Sequence, residues 1–281
     1  MQSRFNSLRA GAGPVPARPA THRVRGVAGV LAAGALSLAG LGALGLGTAA
    51  VPGAAQAAQP APSGICQARF MHDGGRLQVS GTGIIQVQAD LSFSGVSKQG
   101  DQRCAADVRG NASYGLAGLP GGKSDIDHRL QVNDGRSSFQ RRGGGSASGD
   151  FDLRLLGLFG YGTPITGEGQ RLPGDSFQLE IGDRGPKGEV GLPPTTFNIG
   201  ERVVGARATI DTAAAGSQSC WPIRYSRNTG ATQASFNGLV LPIPALKSEV
   251  TDWFCPEVGM VLKQEIMQAG QRSVIEVTQV R

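Results

Sequence analysis

Histidine, charge and helical periodicity are all scarce in this chain. Three of its 281 residues are histidine, and only His72 and His128 follow the apolar N-terminal stretch. A zinc site built on imidazole would need both, and no H-E-x-x-H pair exists. No G-x-S-x-G elbow is present to activate a serine. No C-x-x-C occurs, which removes the common redox and zinc-ribbon spacings. Charged residues make up 17% of the chain, against about 25% in an ordinary globular protein. With 40% hydrophobic residues, that composition favours a packed core over a self-repelling disordered chain. After the N-terminal stretch, no window of ten or more residues keeps a 3.6-residue apolar period.

The net charge of +6 points to an anionic partner until it is located. Residues 1–57 carry five arginines and no acid; the remainder holds 22 basic and 21 acidic residues. Its only adjacent arginines are Arg141 and Arg142. A nucleic-acid binder needs a dense basic face to displace counterions, so no nucleic-acid partner is expected.

Between Gly26 and Ala68 there is no charged residue, and Arg18–Arg25 supplies a basic run before it. The apolar stretch Val27–Val51 is followed by Pro52 and then Ala55-Gln56-Ala57. A charged region, an apolar region and a small-residue A-x-A site are the parts of a secretory signal. Residues 1–57 are expected to be a signal peptide, with the mature chain starting near Ala58 in the periplasm or outside the cell. A retained membrane helix is the alternative reading of the same run. Cys66 follows Ile65 rather than a small residue, which argues against lipidation.

Glycine is abundant, at 44 residues, and the remaining pattern has period two. Arg76–Ser80 and Ile85–Phe93 alternate as half-buried strands do. His128–Val132 and Arg136–Phe139 flank Asn133-Asp134-Gly135, a hairpin signal. Further strands are expected at 151–158, 176–181, 202–212, 222–227, 231–241, 260–267 and 273–280, with turns at 228–230 and 269–271. About ten short strands imply an all-β fold, an antiparallel curved half-barrel or sandwich. Residues 58–65 read as a flexible lead-in and 66–281 as the β domain, divided into halves, if at all, near 143–149.

Four cysteines, Cys66, Cys104, Cys220 and Cys255, all follow the A-x-A site. An even count in an exported chain implies disulfides. Three connectivities are open, and proximity favours Cys66–Cys104 and Cys220–Cys255.

Three further motifs are weak. Ala117–Ser124 fits a permissive phosphate-loop pattern, but an alternating segment follows where a helix is required, so no nucleotide is expected. Asp125 and Asp127 share a strand face that His128 leaves, so no metal is expected there. Gly182–Gly191 imitates a collagen repeat too short to hold a triple helix. No cofactor and no catalytic residue is assigned.

The most distinctive stretch is Trp253-Phe254-Cys255-Pro256-Glu257-Val258-Gly259-Met260-Val261-Leu262-Lys263. It resembles the ending of bacterial envelope proteins of unknown function, of the TapB-like and lipoprotein-carrier-like half-barrel type. The resemblance implies structural roles for Trp253, Phe254, Pro256 and Gly259, and supplies no catalytic residues. Cys255 departs from the pattern and fits a local disulfide to Cys220. It implies an exported envelope protein that is not an enzyme, with a concave sheet holding a lipid, another amphiphilic ligand or an envelope protein. A secreted hydrolase is the alternative, since paired carboxylates converge in space rather than in sequence.

Overall fold

The computed structural model describes residues 64–116, 122–142, 152–182, 190–236 and 239–281. The expected signal peptide, the expected lead-in up to residue 63, the expected 143–149 boundary and the centre of the collagen-like run lie outside them. Among the described residues there is no α-helix. A 3-10 turn, Ile65–Gln67, comes first. Strands β1 (Arg76–Thr82), β2 (Ile85–Lys98), β3 (Cys104–Leu116), β4 (Gly122–Asn133) and β5 (Arg136–Arg141) follow. A second 3-10 turn, Leu153–Leu156, precedes β6 (Arg171–Leu172), β7 (Asp175–Gly182), β8 (Val190–Ile199), β9 (Arg202–Val204) and β10 (Ala208–Thr212). The chain ends in β11 (Gly216–Thr229), β12 (Thr232–Phe236), β13 (Leu239–Ile243), β14 (Leu246–Cys255), β15 (Met260–Gln268) and β16 (Gln271–Val280).

The strands form one antiparallel sheet, open at both ends, in the order β13-β12-β8-β11-β14-β15-β16-β1-β2-β3-β4-β5. Four short or lateral strands lie off this path: β7 pairs with β8, β9 and β10 pair with β11, and β6 pairs with β9. The all-β antiparallel expectation holds. Strand number and length differ from it: sixteen strands are present among the described residues, and β2 and β11 each run for 14 residues. Strand β1 pairs with both β2 and β16, so the first and last described strands lie side by side in the sheet.

Alternation sets the inward face. On β1 Leu77 and Val79 are buried, and on β2 Val87, Ala89, Leu91 and Phe93 are buried. At the β4–β5 turn Asp134 and Gly135 both have positive φ, the geometry a two-residue hairpin favours. Ala269 and Gly270 do the same between β15 and β16. Asn228 and Thr229 belong to β11, and β12 pairs with β8 instead of folding back on β11. The expected hairpin at 228–230 is therefore corrected: β8 lies between the two strands. The 231–241 segment is likewise two strands, β12 and β13, paired as a hairpin.

The expected strand at 151–158 is the largest local error. Asp152 Oδ1 accepts the Arg154 N–H at 2.9 Å, and Gly157 closes the turn at φ +68°. An Asp cap before an apolar run and a left-handed Gly after it bracket a helical turn. Leu153, Leu156, Leu158, Phe159 and Tyr161 are all buried, so this segment fills the sheet's inner face with its own side chains. Phe159 packs against Phe70 and Phe139, with ring centres 5.9 and 5.4 Å apart.

Two disulfides tie the structure. Cys66–Cys104 fastens the 3-10 turn at 65–67 to β3, and Cys220–Cys255 joins the neighbouring strands β11 and β14.

Candidate functional site

Strand alternation places Asp252 on the same face as Val250 and Phe254, pointing into the core. Directly across the ladder sits Gln264, also fully buried, between Leu262 and Ile266. Tyr225 arrives from β11, and Tyr161 from the irregular segment after the second 3-10 turn. The four side chains form one network. Tyr161 OH donates to Asp252 Oδ2 at 2.6 Å, Gln264 Nε2 donates to Asp252 Oδ1 at 2.8 Å, and Gln264 Nε2 lies 3.3 Å from Tyr225 OH.

Burial pushes the Asp252 carboxyl above its ordinary range; the hydrogen bonds from Tyr161, Gln264 and Tyr225, and the charge of Arg202, oppose that rise. Burial, with the nearby Asp252 charge, raises both tyrosines well above their ordinary value. Both therefore remain hydroxyl donors at neutral pH. Arg202, on β9, lays its guanidinium 5.7 Å from the Tyr161 ring centre and 5.5 Å from that of Tyr225, a cation–π arrangement that holds it in place.

Tyr161, Tyr225, Asp252 and Arg202 form the floor of a cleft of about 590 Å³, with Gln264 beneath them outside its lining. Phe139, Phe159 and Phe177 contribute aromatic wall, Leu172 and Ile199 aliphatic wall, and Arg136 and Asp175 lie in its lining with them. Gly157 also lines it, and a Cβ there would come within 1.9 Å of Gln264 Nε2. At φ +68° and with that contact, only glycine lets the turn lie on the buried amide. Gln264 Oε1 and Arg202 Nε are buried without a hydrogen-bond partner, which is uncommon in a native interior.

None of these residues was assigned a role from sequence. Asp252 and Gln264 carry the one available signal, a polar residue at the inward phase of an otherwise apolar alternation. Tyr161 and Arg202 carry none, because their local backbone is irregular or very short.

The residues singled out from sequence lie elsewhere. Phe254 is fully buried, with its ring centre 5.8 Å from that of Tyr161. Trp253 points to the other side of β14 and is only half-buried. Pro256 is buried in the turn joining β14 to β15. Gly259 has φ +79°, and a Cβ would meet Ala68 Cα at 2.8 Å. Cys66, Cys104, Cys220 and Cys255 are buried in their disulfides. His72 is exposed, with Nδ1 3.0 Å from Asp73 O. His128 sits edge-on to Phe139 at 6.5 Å. Lys123 and Ser124 lie on β4 rather than at a helix start, and residues 117–121 of that motif lie outside the described residues. Asp125 and Asp127 are on the same strand. Among the described residues no cluster of three His, Cys, Asp or Glu side chains could hold a metal ion.

No protein-family model matches the sequence, and no curated protein matches it. Two solved structures are similar in backbone. One is named as an exported protein with a YmcC-like fold from Bacteroides fragilis; at 12% identity and a TM-score of 0.43 it covers 76% of this chain and 99% of its own. The other is named as a lipoprotein from Parabacteroides distasonis, at 12% identity and a TM-score of 0.42, covering 76% of this chain and 98% of its own. The functional reading below rests on this chain's own residues.

Proposed function

We propose that the protein is an exported cell-envelope protein that binds an amphiphilic ligand in the cleft above Tyr161, Tyr225 and Asp252. Export is supported by the signal-like stretch at residues 1–57 and by the two disulfides, which persist in oxidising compartments. N-terminal sequencing of the exported protein tests this; a start near Ala58 is expected, and an intact N-terminus in the membrane fraction would overturn it.

One observation carries the binding reading. The cleft joins an aromatic and aliphatic wall, Phe139, Phe159, Leu172 and Ile199, to a polar floor of Arg202, Tyr225 and Asp252. Ligand sites in general are concave, largely apolar, and oriented by a few fixed polar groups. The alternative, hydrolysis by paired carboxylates, would need Asp252 to trade protons with a substrate. Each of its oxygens already accepts a hydrogen bond from within the protein, which supports binding over catalysis. Mass spectrometry of lipids extracted from the purified protein tests the reading: a stoichiometric amphiphile is expected, and one that persists when Tyr161 and Arg202 are both replaced would count against this cleft.

A further inference from the structure

Resting on that reading, we infer that the ligand carries an anionic head group, a carboxylate or a phosphate, seated on Arg202 at the cleft floor. The inference comes from asking which charges in the cleft are already spent. Asp134 is paired outward with Arg103 at 2.8 Å. Arg154 is consumed by Asp152, through Nε and Nη2, and also donates to Gln178 O at 3.2 Å. Asp175 accepts the Ser176 N–H at 2.8 Å. Asp252 accepts from Tyr161 and Gln264. Every carboxylate in the cleft thus has a partner.

Two arginines do not share that condition. Arg136 and Arg202 form no ion pair among the described residues. Arg202 is the more telling, because it is partly buried and fixed over two tyrosine rings. A guanidinium carries five N–H donors. One of them, on Nη1, reaches Pro173 O at 3.1 Å, and Nε is buried with no acceptor. Among the described residues its other Nη N–H groups meet no acceptor, so an anion entering the cleft can take them. Its planar fork suits a carboxylate or phosphate, and a preorganised fork loses little entropy on pairing.

The aromatic faces point the same way by elimination. A sugar would need an open ring face to stack on. Phe177 is covered by the Arg154 guanidinium at 4.5 Å and stacks on Phe197 at 5.4 Å. The rings of Tyr161 and Tyr225 lie under Arg202. Phe139 and Phe159 meet edge to face at 5.4 Å, and the cleft offers their wall, with Leu172 and Ile199, to a chain and a cation to its head.

The test is calorimetric titration of the purified protein with dodecanoate, dodecyl phosphate and dodecanol, the anions below their micellar concentrations and the alcohol below its solubility limit. At least one anion should bind about tenfold or more tighter than the alcohol, the scale of one charge-assisted contact. Preference between the two anions tells a free acid from a phosphate head. Arg202→Gln should erase the advantage, bringing the anions down to the level at which the same variant binds the alcohol, and Arg202→Lys should restore part of it. If dodecanol binds as tightly as both anions, the head-group inference is overturned while the amphiphile reading stands. If none of the three binds, the amphiphile reading fails with it. The wild-type comparison decides both points even if an Arg202 variant does not fold.

Discussion

The two sides of the cleft are built by different rules. On one side lie the long regular strands, β14 and β15, continued through β16 and β1 to β4. Their ladders are extended, as in the pairing of β3 with β4 from Cys104 to Tyr114, and their inward residues are nearly all apolar. On the other side, β6 has two residues and β9 three, and the 3-10 turn at 153–156 stands where a strand was expected. The regular side supplies the buried acid and its amide, Asp252 and Gln264. The irregular side supplies Tyr161, Arg202 and the glycine that lies on Gln264. Rigid strands can bury a polar group because their neighbours fix its partners; short segments can bring a cation close because they are not bound to a ladder. The site exists only where the two meet.

The contrast predicts that stability resides mainly in the regular side. Phe254→Ala should cost about 3–5 kcal/mol, the usual range for emptying a buried aromatic site. Trp253→Ala, one residue away but half-buried, should cost clearly less. Melting curves of the pair check this, and equal losses would break the distinction between the two faces of β14. Next in size are the disulfides. Their sequence separations, 38 and 35 residues, correspond to roughly 4 kcal/mol each in the chain-entropy model. Unfolding of the Cys66→Ser/Cys104→Ser and Cys220→Ser/Cys255→Ser variants should show similar losses. A much larger loss for the second pair would place an added share of stability at the β11–β14 junction.

Gly157→Ala should be smaller in stability, above about 1 kcal/mol where a positive φ forbids the side chain, but larger in its effect on the cleft. The added methyl must displace Gln264, so binding of any cleft ligand should fall more than the melting temperature implies.

Acidity gives a finer probe. The folded-state pKa of Asp252 lies above the ordinary 3.8. The stability it contributes is complete below pH 3.8 and is lost as pH rises through the higher folded value. Asp252→Asn stays neutral throughout. Its deficit in melting temperature relative to wild type should be largest below pH 3.8 and narrow as pH rises above it; a deficit that widens with pH would reverse the sign argued here. The smallest effect is reserved for His72→Ala. This exposed side chain should change stability by no more than about 0.5 kcal/mol and leave ligand binding unaltered.

The same contrast explains what could be read from sequence. Strand β2 was legible because Val87, Ala89, Leu91 and Phe93 repeat strictly every second residue. Strand β3 was not, since its inward positions include Ala106 and Ala112 and its others Asp, Gly, Asn and Ser, residues with weak strand preference. The 153–156 turn was misread because Leu-Arg-Leu mimics alternation, although Asp152 and Gly157 marked its ends. Of the site, Asp252 was legible in principle: Val250, Asp252 and Phe254 keep one phase, and only the middle residue is charged. Arg202 was not, because its role depends on two rings that the sheet brings from Tyr161 and Tyr225, far apart in the chain.

The bond between β1 and β16 has a kinetic side. Leu77 lies opposite Val280, so strands roughly 200 residues apart must find each other before the sheet is continuous, and contacts of such separation slow folding. A chain emerging from its N-terminus first displays one edge of β1 unpaired until β16 has appeared. That edge includes Leu77 and Val79, both destined for the core, and an apolar edge left open invites pairing with other chains. Shielding of that edge until β16 arrives is therefore a demand this topology makes, independent of anything the finished cleft holds.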